Sequence, residues 1–278
     1  MNITFIGGGN MAQAIIGGLL ANGQSEKEIR VVEINTDTLE RVKQKFGVIV
    51  FSEIRSKAIE ESDVIVLAVK PQQVFEVADR LQPLPNQIVL SLAAGIRLAD
   101  LMRRMFGKEG GQNYTLVRAM PNTPALIGEA ITGLYSFLPK KMLSPNQIEM
   151  IETVIGAIGK YVWVNNEDEM NAVTAISGSG PAYVFLFMEA IEQAAAELKL
   201  PKDIAHKLVL QTFIGASKLA AESPDPLAAL RERVTSKGGT TEAALNSMAT
   251  DRVKEAIIRA VKVAHERAHE LGDELCKQ

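Results

Sequence analysis

The chain has 278 residues, 47% hydrophobic and 23% charged, a length and balance suited to two globular domains. Its 30 basic and 33 acidic residues leave a net charge of −3, so it carries no electrostatic footprint for nucleic acid or an anionic membrane surface. One cysteine (Cys276) and three histidines (His206, His265 and His269) exclude a disulfide framework and a four-cysteine zinc site. The first 25 residues carry no charge, but they lack the basic start of a signal peptide, and Gly7-Gly8-Gly9 interrupts them. They read as strand, turn and helix in a protein expected in the cytoplasm.

Asn2–Ile6 is an apolar run closed by the glycines, and Met11–Ala21 follows at helical spacing as far as Asn22-Gly23. Ile29–Ile34, Val48–Phe51, Asp63–Val69, Ile88–Leu92 and Tyr114–Arg118 are further apolar runs without alternation. Such runs suit strands buried on both faces of a parallel sheet. The spacing predicts helices over Thr38–Phe46, Val74–Leu81 and Leu98–Phe106 between them, the cadence of a doubly wound α/β domain. Ile131–Phe137 and Tyr161–Val164 read as late strands flanking a helix at Pro145–Ile158. Beyond Asn165-Asn166-Glu167-Asp168 no strand pattern remains, and Ala182–Leu198, Ala205–Glu222 and Arg252–Leu271 are long, alanine-rich helices. The expected division is a Rossmann-type α/β domain over residues 1–165 and an all-α domain over 166–278.

Gly7, Gly8, Gly9, Asn10, Met11 and Ala12 match G-x-G-x-x-G/A with alanine in the third place. The motif follows a strand and opens a helix, the context of dinucleotide binding, with the helix N–H groups facing the pyrophosphate. Glu33 and Asn35 close the second strand, where an acidic side chain bonds the ribose 2′-OH of NAD. Arg55, after the third strand, could instead meet the 2′-phosphate of NADP, and both cofactors stay open. Ala68, Val69, Lys70 and Pro71 stand at the carboxyl end of the fourth strand, and Ala93, Ala94 and Gly95 at that of the fifth. Both ends border the crevice where open α/β sheets collect ligands. Met120-Pro121-Asn122-Thr123-Pro124 is a stiff turn near the same edge.

Two loops punctuate the helical half. Ser177, Gly178, Ser179 and Gly180 precede Pro181 and are expected to expose N–H groups ahead of a long helix. Thr235-Ser236-Lys237-Gly238-Gly239-Thr240-Thr241 packs hydroxyls and flexible backbone into a turn whose N–H groups suit a carboxylate. His265-Glu266-Arg267-Ala268-His269 spells H-E-x-x-H, but Leu275 stands where the longer protease pattern needs a third ligand. No metal site is expected.

In order along the chain, GGGNM at 7–11, AVKP at 68–71, AAG at 93–95, MPNTP at 120–124, SGSGPAYVF at 177–185 and VTSKGGTTEAAL at 234–245 resemble pyrroline-5-carboxylate reductase. One position departs from the family's commonest form: Lys237 stands where many members carry proline. The resemblance implies NAD(P)H-dependent reduction of a cyclic imine carboxylate to proline, the last step of proline synthesis. It implies a homodimer with intertwined C-terminal helices, often assembled into larger rings, with sites built from two subunits. It assigns Thr241 as hydrogen-bond or proton donor to the ring nitrogen, with Ser236 as a second hydroxyl. The substrate carboxylate is then expected on the N–H groups of Gly238, Gly239 and Thr240, in a pocket walled by Ser177 to Gly180. The small-molecule substrate brings its own basic nitrogen, which explains how the chain manages with so few histidines.

Overall fold

Apolar runs become strands where both faces can be covered, and the first half of the chain meets that condition. The computed structural model describes residues 1–54, 56–107 and 114–276. Among them, β1 (Ile3–Ile6), β2 (Ile29–Val32), β3 (Ile49–Phe51), β4 (Val64–Leu67), β5 (Ile88–Ser91), β6 (Thr115–Met120), β7 (Ala130–Ser136) and β8 (Gly159–Trp163) form one sheet. Its order is β3-β2-β1-β4-β5-β6-β7-β8. Strands β3 to β6 run parallel, β7 is antiparallel to β6, and β8 is parallel to β7. Chain order reverses at β1, which has β2 on one side and β4 on the other, and ligands gather beyond the strand ends at such a point.

Helices α1 (Asn10–Ala21), α2 (Thr36–Phe46), α3 (Ser56–Glu60), α4 (Val74–Arg80), α5 (Leu98–Phe106) and α6 (Pro145–Gly156) flank the sheet. Ile3, Phe5, Val64, Val66, Ile88 and Leu90 turn to one face and pack with Ile15, Ile16 and Leu19 of α1 and Ile151 and Ile155 of α6. Their neighbours Ile6, Ile65, Leu67 and Val89 turn to the other, against Val74 and Ala78 of α4 and Leu98, Leu101 and Met102 of α5. Each fully buried side chain of this size contributes about 1.5–3 kcal/mol.

The chain divides into two compact units, Met1–Ser179 with Ala264–Gln278, and Gly180–Val263. The segment after β8 is helical. Asn166 caps α7 (Glu167–Val173), its side chain accepting from the Glu169 N–H at 2.8 Å. Thr174–Gly178 then winds as a single π-helical turn, with the Ser179 N–H donating to Thr174 O at 2.9 Å. The expected loop of exposed N–H groups before Pro181 is therefore corrected: the hydroxyls and glycines did not break the helix but widened it.

The second unit holds α8 (Gly180–Glu197), α9 (Lys202–Glu222), α10 (Leu227–Arg233), α11 (Thr240–Thr250) and the start of α12 (Val253–Leu275). α8 packs along α9, joined by His206 Nδ1 and Glu192 Oε1 at 2.7 Å. Neither α8, α10 nor α11 buries a residue, and α9 buries only Ala205 and Val209. Phe185 and Leu186 of α8 are each 63% exposed.

Gly18 of α1 shows how tightly the first unit closes: a Cβ there would lie 2.0 Å from Ala157 O, at the end of α6. Gly18→Ala is expected to cost about 1–3 kcal/mol by overpacking, although alanine favours a helix. Urea denaturation of the purified variant measures that loss.

Candidate functional site

The hydrogen-bond ladder runs to the last residue of the central strands. The Gly7 N–H donates to Val32 O and the Ala68 N–H to Ile6 O, each at 2.8 Å. Gly7 has φ +102°, and a Cβ there would lie 2.8 Å from Ala68 O, so this position needs glycine twice over. Gly9 is the N-cap of α1, which has no side-chain cap and no acidic residue in its first turn. The helical ladder begins with the Gln13 N–H on Gly9 O, so the N–H groups of Asn10, Met11 and Ala12 precede it. A Cβ on Gly9 would meet only open space. This is an uncapped, electropositive helix end of the kind that takes a phosphate.

Beside it lies a cavity of about 670 Å³ bordered by Gly7, Gly9, Glu33, Asn35, Ala68 and Lys70. The structure thus brings the glycine turn, the acidic end of β2 and the end of β4 together. A second hollow of about 620 Å³ is bordered by Gly8, Asn10, Gln13 and Arg41. Met11 packs partly into the core beneath α1. Val69 lines the first cavity, and Pro71 opens a short 3₁₀ turn after Lys70. Glu33 is already engaged: its Oε2 accepts from the Gly8 N–H at 2.9 Å and its Oε1 from the Asn35 N–H at 2.8 Å. The Asn35 side chain caps α2 through the Thr38 N–H. Arg55 lies outside the described residues.

Ala93, Ala94 and Gly95 follow β5, the strand beside β4, and Ala93 is buried. Gly95 has φ +76°, and a Cβ there would lie 3.0 Å from Leu275 Cδ1; a Cβ on Gly272 would lie 3.3 Å from Gly95 O. The last turns of α12 therefore sit directly on this loop. Arg97 fastens them, donating from Nε to Asp100 at 2.8 Å and from Nη1 to Asp273 at 2.7 Å. Burial raises the Asp100 carboxyl, but hydrogen bonds from Cys276 and Arg97 outweigh it and hold the group below its ordinary value. Burial pushes the Cys276 thiol up, and Asp100 adds to that. No motif marks this contact, because 176 residues separate Arg97 from Asp273.

A third set of contacts joins residues of the 120–124 turn and the 177–180 segment with Arg118 and Glu167, whose pairing the sequence did not show. Arg118, on β6, is 1% exposed and donates from Nη1 to Glu167 Oε2 at the start of α7; Glu167 Oε1 accepts from the Leu98 N–H at 2.8 Å. Burial, with the charge of Glu167, pushes the neighbouring Tyr135 phenol up. Met120 reaches the π turn, its Cε 2.8 Å from where a Cβ on Gly178 would lie. Asn122 Nδ2 donates to Ser177 O at 3.1 Å. An arginine inside an otherwise apolar strand was the available signal.

Ser236 to Thr241 lie in the second unit, at the start of α11. Gly238 has φ +73°, and its N–H donates to Glu242 Oε2 at 2.7 Å; the Gly239 N–H donates to Ser236 O at 3.0 Å. The expected row of free donors at Gly238, Gly239 and Thr240 is corrected to that extent: the chain itself uses the first two. Gly239 is the N-cap, without a side-chain cap, and the ladder begins with the Ala243 N–H on Gly239 O. The Thr240 and Thr241 N–H groups precede it. Thr241 is partly buried, and Ser236 Oγ lies 2.6 Å from where a Cβ on Gly239 would sit.

The two histidines of H-E-x-x-H turn to separate carboxylates, His265 to Asp168 at 3.4 Å and His269 to Asp273 at 3.5 Å. Among the described residues no helix is long and apolar enough to cross a membrane.

Residues 167–271 match the family model for pyrroline-5-carboxylate reductase dimerisation, and residues 2–95 match one for coenzyme F420-dependent NADP oxidoreductases. A pyrroline-5-carboxylate reductase of Pseudomonas aeruginosa is 39% identical over 275 residues, covering 98% of this chain and 97% of that one. The chain belongs to the pyrroline-5-carboxylate reductase family. A relative from Haemophilus influenzae is 40% identical, with 97% of each chain covered. The solved structure of the Coxiella burnetii reductase superposes with a TM-score of 0.86 at 40% identity, covering 97% of this chain and 98% of that one. The Plasmodium falciparum enzyme, solved with NADP bound, gives 0.82 at 26% identity, with 98% of each chain covered. Like other members of the pyrroline-5-carboxylate reductase family, the chain joins an NADP-binding Rossmann fold to a helical region for self-association.

Gly7→Ala places a side chain against Ala68 O at a backbone angle alanine avoids. Titration of NADPH fluorescence is expected to show at least about tenfold weaker binding, the cost of strain on the order of 1–3 kcal/mol.

Proposed function

We propose that the chain reduces 1-pyrroline-5-carboxylate to L-proline with NADPH or NADH, the closing step of proline biosynthesis. The observation that carries this reading is the match to one family along 98% of the chain, glycine turn and hydroxyl-rich turn included. An assay of nicotinamide oxidation with racemic pyrroline-5-carboxylate tests it, and no turnover with either cofactor would refute it.

The residues present fit a dinucleotide. Gly7 brings the backbone close, Gly9 leaves open space, and the N–H groups of Asn10, Met11 and Ala12 stand ready for the pyrophosphate. Ala68 to Pro71 and Ala93 to Gly95 border the nicotinamide half beyond β4 and β5. When bound, the nicotinamide supplies the hydride. The chain has to align donor and acceptor, which is worth several kcal/mol of the barrier. It also has to hold the substrate's carboxylate.

The imine nitrogen is basic enough to enter as iminium, so no histidine has to polarise the acceptor. The Thr240 and Thr241 N–H groups take the carboxylate at the uncapped start of α11. The Thr241 hydroxyl orients the ring nitrogen or relays a proton from water, because its pKa is far too high for a free acid. Ser236 closes the turn beside Gly239, and Ser177 to Gly180 wall the pocket.

The functional division falls at residue 165, between a cofactor domain and a dimerisation domain; the match over 167–271 supports it. The apolar faces of α8 and α9 support a homodimer, with rings of dimers as the larger assembly and sites completed by the partner subunit. A cytoplasmic location suits the single cysteine.

Thr241→Ala is expected to lower kcat/KM for the imine by about a hundredfold with NADPH affinity unchanged. Wild-type kcat/KM in that variant would remove Thr241 from the mechanism. Glu33 is the charge a 2′-phosphate would meet, so Glu33→Gln is expected to raise the NADPH-to-NADH ratio of kcat/KM by about tenfold. Parallel steady-state assays with the two cofactors measure it.

A further inference from the structure

Asn122 follows β6 by two residues and is 9% exposed, a buried amide in a loop. Both ends of its side chain are in use. Its Oδ1 accepts from the Ile131 N–H at 3.2 Å, and its Nδ2 donates to Ser177 O at 3.1 Å. Ser177 lies in the π turn at Thr174–Gly178, a deviation frequent at functional sites. In an α-helix its carbonyl would receive the N–H of residue 181, and that residue is proline, which has none. Asn122 supplies the missing donor from across the fold. Met120, two residues earlier, presses against Gly178 in the same turn.

We propose that Asn122 is a positioning residue for the substrate pocket: its amide fixes the Ser177 carbonyl and with it the wall running from Ser177 to Gly180. This rests on the reading that the segment lines the pocket. Without the donor, the Ser177 carbonyl loses its partner, Pro181 cannot replace it, and the turn loosens, shifting the wall against the imine. The Asn122 side chain touches neither β4 nor the glycine turn in the described hydrogen bonds, so the cofactor's phosphates should not register its loss.

Asn122→Asp is the sharpest test, because it keeps the acceptor for Ile131 and turns the donor into an oxygen facing the Ser177 carbonyl. Asn122→Ala, which removes both bonds, is the second variant. By hydrogen–deuterium exchange, amides 174–180 of Asn122→Asp are expected to exchange about tenfold faster than wild type, with β1 and α1 unchanged. In steady-state kinetics KM for the imine rises about tenfold while KM for NADPH stays within about twofold. Unchanged exchange at 174–180 overturns the proposal whether or not the wild type turns over. Raised exchange with an unchanged imine KM in an active enzyme overturns the pocket-positioning role. An inactive wild type refutes the catalytic reading instead, and exchange still decides the placement of the turn. If neither variant gives a cooperative thermal transition, Asn122 is a folding residue and the proposal falls.

Discussion

The close approach of the turn after β1 to the carbonyl that ends β4 governs the cofactor half of this protein. At Gly7 the backbone passes so near Ala68 that no side chain fits, and its φ of +102° is open only to glycine. β1 and β4 are the central pair of the six parallel strands β3-β2-β1-β4-β5-β6, and each carries core on both faces. Any group at Gly7 would therefore work against both cores at once. In return the chain leaves β1 at the right angle to start α1 with an uncapped end over the strand termini. A helix end of this kind favours a phosphate through its backbone N–H groups, and Arg41 and Lys45 border the hollow beside it.

The two units solve burial differently. The first closes on itself, with apolar side chains alternating between two helical layers and a buried arginine balanced by Glu167. Removing one partner of such a pair typically costs about 3–5 kcal/mol, so β6 and the start of α7 are coupled strongly. The second unit buries almost nothing, leaving Phe185, Leu186 and Leu208 more than half exposed. An exposed apolar surface of this kind marks an interaction site. The match of residues 167–271 to a dimerisation family agrees with self-association through this region.

Most of the sheet was legible because its signal is local. An unbroken apolar run such as Asp63–Val69 can satisfy a strand covered on both faces and little else, and the structure places β4 within it. The glycine turn was legible for the same reason: three glycines between strand and helix constrain the backbone there and nowhere else. The π turn and α11 were less so. Serine, glycine and threonine favour loops and caps by their own chemistry, yet Thr174–Gly178 stays helical because Val173 packs on Gly133 and Met120 on Gly178. Asn122 was visible only as part of a stiff turn. Its role depends on Ser177, 55 residues away.

By itself the sequence determined the class of fold, the glycine turn that leads into α1 and the family to which the chain belongs, since each depends on residues close together or on ordered motifs. Only the tertiary structure decided which donors are spent and which remain. It engaged Glu33 with Gly8 and Asn35, turned the Gly238 N–H to Glu242, and laid the end of α12 on Gly95. The Gly8 and Gly95 contacts join segments far apart in the chain, and even the local ones, Asn35 to Glu33 and Gly238 to Glu242, depend on side-chain placement to a fraction of an ångström, a precision that residue order does not carry.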